Sequence, residues 1–177
     1  EVAGQAHNSF SGAFYRPGYA EIDQIQKTTG LPHTDITALP LEAFMRQALT
    51  NLDLWVREGI PAPYAQGLIE VDENNIEVLD ENNNCKGGFR FPKLDVPVAT
   101  YCSGTKKNDQ DSCCVYFSEE KLKKLYPTRR DYIDKIFKAI DVLEEQRFFS
   151  VEDADQMKLD ILKLPVPCRD HSSKFEE

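Results

Sequence analysis

The heptapeptide Glu1-Val2-Ala3-Gly4-Gln5-Ala6-His7 constrains this chain more than any other stretch, because it reads as the end of a buried strand running directly into a histidine. Glu1, Val2 and Ala3 are compatible with extended backbone. Gly4 permits a tight turn that a side chain would obstruct, and Ala6 lets the histidine-bearing loop lie against neighbouring backbone. An imidazole so placed is a candidate general base. A base needs a nucleophile to act on, and the heptapeptide holds none.

The apolar fraction, 41% of 177 residues, suffices to build a core in one domain or a large part of one. Thirty acidic against 21 basic residues leave a net charge of −9, which argues against a nucleic-acid or anionic-membrane partner. The short basic runs Lys121-Leu122-Lys123-Lys124 and Arg129-Arg130 read as exposed helix charges. No apolar run reaches the roughly 20 residues that span a bilayer. Five cysteines, Cys85, Cys102, Cys113, Cys114 and Cys168, lack metal-ligand spacing, so no metal is expected. Disulfides are the expected use, with five reduced thiols as the alternative. The stretch from Cys102 to Cys113 reads as a short polar loop suited to a covalent staple, and Cys168 lies in a tail that would otherwise fray. Disulfide use implies an oxidising compartment and secretion.

Residues 8–40 scatter Gly, Pro and aromatics without period, and read as a long ordered loop with one short helix near Glu21–Lys27. Phe10, Phe14 and Tyr15 are candidate apolar walls of a substrate site, or simply loop anchors. Residues 41–59 hold an amphipathic helix, with Leu41, Phe44, Met45, Ala48, Leu52, Trp55 and Val56 at spacings of three and four and Gly59 as its stop. Pro61 and Pro63 prevent resumption. Residues 67–101 turn to β pattern. Leu68–Val71 and Ile76–Leu79 alternate about Asp72-Glu73-Asn74-Asn75, and a second polar turn spans Asp80–Asn84. Val96–Tyr101 then reads as an edge or irregular strand because of its prolines. Residues 118–163 are helical. Ser118 caps a helix to Leu125, Pro127 interrupts, and Thr128 caps the next, with a stripe of Tyr132, Ile133, Ile136, Phe137, Ile140, Val142 and Leu143. Ser150 opens a third helix, and residues 164–177 form a tail.

The acidic turns suggest a calcium loop, which the spacing rejects. With Asp80 first, the sixth position is Cys85 instead of Gly and the twelfth is Phe91 instead of Glu. No phosphate-binding glycine motif is present, and no cofactor is expected. His33 fits a turn and His171 a solvated tail.

Taken together, the first heptapeptide, the Trp55 helix ending in Gly59-Ile60-Pro61-Ala62-Pro63, Gly87-Gly88-Phe89-Arg90-Phe91-Pro92 with Val96–Tyr101, and Leu125–Tyr132 followed by Glu152-Asp153-Ala154 resemble the α/β-hydrolase domain proteins. The resemblance runs from residue 1 to about residue 160 and implies an α/β fold, specifically the C-terminal part of an α/β-hydrolase. Its parts would be the last sheet strand, the catalytic-histidine loop, a β-hairpin insertion and C-terminal helices, completed by an upstream chain or segment. After Tyr101 the family tends towards a Gly-Trp-Asn type of segment, where this chain has Cys102-Ser103-Gly104-Thr105. Substrate specificity therefore does not carry over.

In that superfamily the triad runs Ser, then Asp or Glu, then His, with the serine on a G-x-S-x-G elbow. His7 matches the last member. Neither Ser11-Gly12 nor Ser103-Gly104 has the elbow pattern, so the resemblance implies a serine and carboxylate supplied upstream. It further implies a two-chain protein made by proteolytic processing, in which an N-terminal chain of the same precursor brings the sheet; a single polypeptide of which this is a piece is the alternative. Arg90 and Tyr101 fall in the resembling segment and are candidate substrate contacts, or else an ion pair and a packed ring. Two functions follow. One is a secreted serine esterase or related acyl hydrolase with His7 as base. The other is an inactive binding or structural protein on the same scaffold, holding a small apolar ligand.

Overall fold

The computed structural model describes residues 39–65, 67–105 and 108–163. They fall into two compact units. One comprises Ala65–Tyr116 with residues up to Leu41, the other Glu42–Tyr64 with residues from Phe117 onward. His7, Phe10, Phe14, Tyr15, His33, Cys168, His171, the first strand and the helix expected near Glu21–Lys27 lie outside the described residues.

Among the described residues the second unit holds helix α1 (Leu41–Glu58) and three later helices, while the one-turn helix α2 (Pro92–Asp95) belongs to the first unit. α1 spans the expected residues and stops at Gly59, whose φ of +72° suits a residue without a Cβ. Its burial differs from the expected pattern. Met45, Leu52, Trp55 and Val56 are exposed, while Ala43 and Asn51 are buried. Two contacts with the 147–148 turn set this face. Asn51 Nδ2 donates to the Arg147 carbonyl at 2.7 Å, and the Phe44 ring stacks on Phe148 at 6.4 Å between centroids. A buried amide must find a partner, and this one sits in a turn that sequence periodicity does not report.

Helix α3 (Glu119–Leu125) starts at Ser118, whose hydroxyl accepts from the Lys121 N–H. Helix α4 (Arg129–Glu145) starts with a reciprocal capping box between Thr128 and Asp131. Helix α5 (Val151–Lys163) packs on α4. Tyr132, Ile136 and Ile140 form the buried stripe of α4, joined in the core by Leu122, Tyr126, Phe149, Ala154 and Ile161. Full burial of side chains such as Ile136 and Ile140 is worth about 1.5–3 kcal/mol each.

The first unit is built on hydrogen bonds as much as on apolar burial. Val71 bridges Glu77, Leu79 bridges Cys85, and Ile69 bridges Gly87, all antiparallel. At the centre the Glu70 N–H donates to the Lys86 carbonyl, Lys86 to Val78 and Val78 to Glu70, each at 2.9 Å. Three short extended segments spaced by eight residues thus close a triangular ring of backbone bonds. Gly87 is required in it, because at φ +73° a Cβ would come within 2.2 Å of the Leu68 carbonyl oxygen. Helix α2 (Pro92–Asp95) is one turn, with Phe91, Pro92 and Leu94 buried.

The chain then enters strand β1 (Ala99–Thr105), antiparallel to β2 (Asn108–Tyr116), with Cys102 opposite Cys113 and an irregularity between Ser103 and Thr105. This corrects two expectations. The strand read over Val96–Tyr101 begins at Ala99, and the segment from Cys102 to Cys113 is a strand pair instead of a loop. Asn108-Asp109-Gln110-Asp111-Ser112 has no apolar alternation, so its strand character comes from pairing with β1 and not from local preference.

Candidate functional site

The two candidate substrate contacts, Arg90 and Tyr101, both bond to one turn. Asp72 and Asp80 open two turns of the same construction. In the first, Asp72 Oδ1 accepts from the Asn74 and Ile76 N–H groups at 2.8 and 2.9 Å. In the second, Asp80 Oδ1 accepts from the Asn82 and Asn84 N–H groups at the same two distances. Asn75 and Asn83 sit at φ +62° and +60°, a conformation asparagine tolerates better than most side chains. The signal was in the sequence as an eight-residue repeat, Asp72-Glu73-Asn74-Asn75 and Asp80-Glu81-Asn82-Asn83.

The two turns diverge at their last residue. Ile76 is exposed, whereas its counterpart Asn84 is fully buried. Asn84 Oδ1 accepts from the Tyr101 N–H at 2.7 Å and its Nδ2 donates to the Ala99 carbonyl at 3.2 Å. One side-chain amide thereby bonds the backbone of β1 as a neighbouring strand would. Thr100 Oγ1 adds a bond to the Asn82 carbonyl at 2.9 Å.

Arg90 fastens the same turn from the other side. Its NH2 donates to Asp80 Oδ2 at 3.0 Å and to the Leu94 carbonyl at 2.7 Å, its Nε to Asp95 Oδ1 at 2.6 Å, and its NH1 to the Cys85 carbonyl. The guanidinium fork suits such multidentate work. The Asp80 carboxylate is thus shared between two N–H groups and a guanidinium. Tyr101 is buried, 4% exposed. The structure therefore joins Arg90 and Tyr101 to one turn, Arg90 through Asp80 and Tyr101 through Asn84, in scaffold contacts.

Cys85 is a buried thiol whose Sγ donates to Glu77 Oε2 at 2.9 Å. Cys102, Cys113 and Cys114 are placed by backbone alone. Among the described residues no group of three or more His, Cys, Asp or Glu could hold a metal ion, and no helix is long and apolar enough to cross a membrane.

The titrations that shift are structural ones. The Asp72 carboxyl lies below its ordinary 3.8 because the Ile76 N–H, and then that of Asn74, bond the charged form. Burial, with Tyr132 alongside, pushes the Tyr126 phenol up. Lys158 is held above its ordinary 10.5 by the Asp141 carboxylate at 2.5 Å.

The sequence motifs point beyond this scaffold to a family. The chain belongs to the alpha/beta hydrolase domain family, whose model matches residues 1–158. No curated protein and no solved structure matches it. Membership of that family indicates a hydrolase-type protein. The match includes His7 and extends through α1, the triangular β unit, the β1–β2 ribbon, α4 and the first half of α5.

Proposed function

We propose that this chain is the histidine-bearing part of a secreted serine hydrolase that cleaves a carboxylic ester or a related acyl bond. The observation that carries the reading is the family match over residues 1–158, which includes His7. His7 is the general base. It takes the serine hydroxyl proton as the oxygen attacks the acyl carbon, then gives that proton to the departing alcohol; water repeats the sequence on the acyl-enzyme. The serine and its carboxylate partner come from the N-terminal chain of the same precursor, because no serine among these 177 residues lies in a G-x-S-x-G elbow. Phe10, Phe14 and Tyr15 wall the acyl group. Cysteine usage supports an extracellular location.

The test is labelling of the purified native protein with a fluorophosphonate, alongside hydrolysis of a short aryl ester. An adduct on a serine of the accompanying N-terminal chain, with labelling and turnover lost in His7→Gln, is the expected result. A native protein that folds, retains its N-terminal chain and takes no label would leave only the binding protein on the same scaffold.

A further inference from the structure

Register in the β1–β2 ribbon is weakly specified by side-chain pattern. Residues 108–112 of β2 are all polar, so no alternation distinguishes one face from the other, and a slip of one residue would cost little apolar burial there. The ladder nonetheless runs regularly from Ala99↔Tyr116 to Ser103↔Ser112 before its irregularity. Within that regular stretch Cys102 stands directly opposite Cys113. Facing residues of an antiparallel pair have Cα atoms about 4.5–5.5 Å apart, inside the roughly 4.4–6.8 Å window of a disulfide. Cys114 is one step along, opposite Tyr101, and successive residues of a strand belong to opposite faces.

We propose that Cys102 and Cys113, register partners across the ribbon, form a disulfide in the oxidised protein and thereby fix the register that the polar strand does not specify. The oxidant is a small-molecule or protein disulfide. The Cys102 thiolate attacks one of its sulfurs and expels the other as a thiolate; the Cys113 thiolate then attacks the Cys102 sulfur of the mixed disulfide and releases the second. The two cysteines lose two electrons and two protons, and the oxidant leaves as two thiols. The inference stands on strand register and does not depend on the hydrolase reading.

Trypsin makes the test direct, because Lys106 and Lys107 lie between the two cysteines. The native protein is equilibrated with oxidised glutathione, alkylated, digested without reductant and analysed by fragment-ion mass spectrometry. The expected species is the peptide Leu94–Lys106 covalently joined to Asn108–Lys121, two hydrogens lighter than the separate peptides, with fragmentation placing the bond on Cys113. In the variants the joined species persists in Cys114→Ser and is lost in Cys113→Ser. Alkylated Cys102 after oxidation, or Cys102 joined to Cys114, Cys85 or Cys168 in the unsubstituted protein, would overturn the assignment, and that measurement needs no variant to fold.

Discussion

Replacing Asn84 by Ala removes the side chain that joins the second turn to the β1 backbone by two hydrogen bonds. The Tyr101 N–H loses an acceptor at 2.7 Å and the Ala99 carbonyl loses a donor at 3.2 Å, both at buried residues. Leaving a buried polar group without its partner costs about 1–3 kcal/mol, so the two together give about 2–6 kcal/mol before any term for the space vacated. That is a large share of the roughly 5–15 kcal/mol that holds a domain folded. The protein carries its own control. Ile76 occupies the same place in the first turn with the same backbone bonds, but is exposed, so Ile76→Ala is expected to cost less than about 0.5 kcal/mol. The assay is equilibrium urea unfolding of both variants followed by circular dichroism, with the midpoint shift read at unchanged slope. Equal midpoints for Asn84→Ala and Ile76→Ala would refute the reasoning, since the two sites differ chiefly in the burial and bonding of the last side chain.

Two further outcomes follow from the same unit. Gly87→Ala is expected to destabilise by about 2 kcal/mol or more, because a left-handed φ strains an alanine and its Cβ would meet the Leu68 carbonyl oxygen; a urea midpoint within error of the parent would show that the triangular ring tolerates a side chain there. Asp72 predicts a pH dependence. Its folded pKa is depressed below the ordinary 3.8, so the stability it contributes is present above 3.8 and is lost as pH falls through the lower folded value. Amide exchange at Asn74 and Ile76, followed by NMR, should accelerate over that acidic window and be insensitive to pH in Asp72→Asn once intrinsic exchange is corrected. An unchanged window in that variant would detach the effect from the carboxylate.

The helices were legible because their signals are local. Ser118 and Thr128 cap, Pro127 separates two helices and Gly59 ends one, each acting on residues within a turn of itself, and the structure begins and ends these elements there. The first hairpin was legible for the same reason, since Asp72-Glu73-Asn74-Asn75 carries its own turn chemistry. Family membership was also readable, from ordered motifs spread along the chain.

Other features required distant residues to be placed. Asn84 and Ile76 hold equivalent positions in repeated turns, yet only Asn84 meets a strand, fifteen and seventeen residues onward. Sequence left Arg90 as either a substrate contact or an ion pair and named none of its four acceptors, and α1 turned Asn51 inward because a carbonyl ninety-six residues away accepts from it. The polar segment Asn108–Ser112 has no strand pattern of its own and becomes one only through its ladder with β1. Local sequence determines where backbone can start, turn and stop. Which buried polar group finds which partner is a long-range matter, settled only when the chain has folded, because an unpaired donor or acceptor costs more than most local preferences are worth.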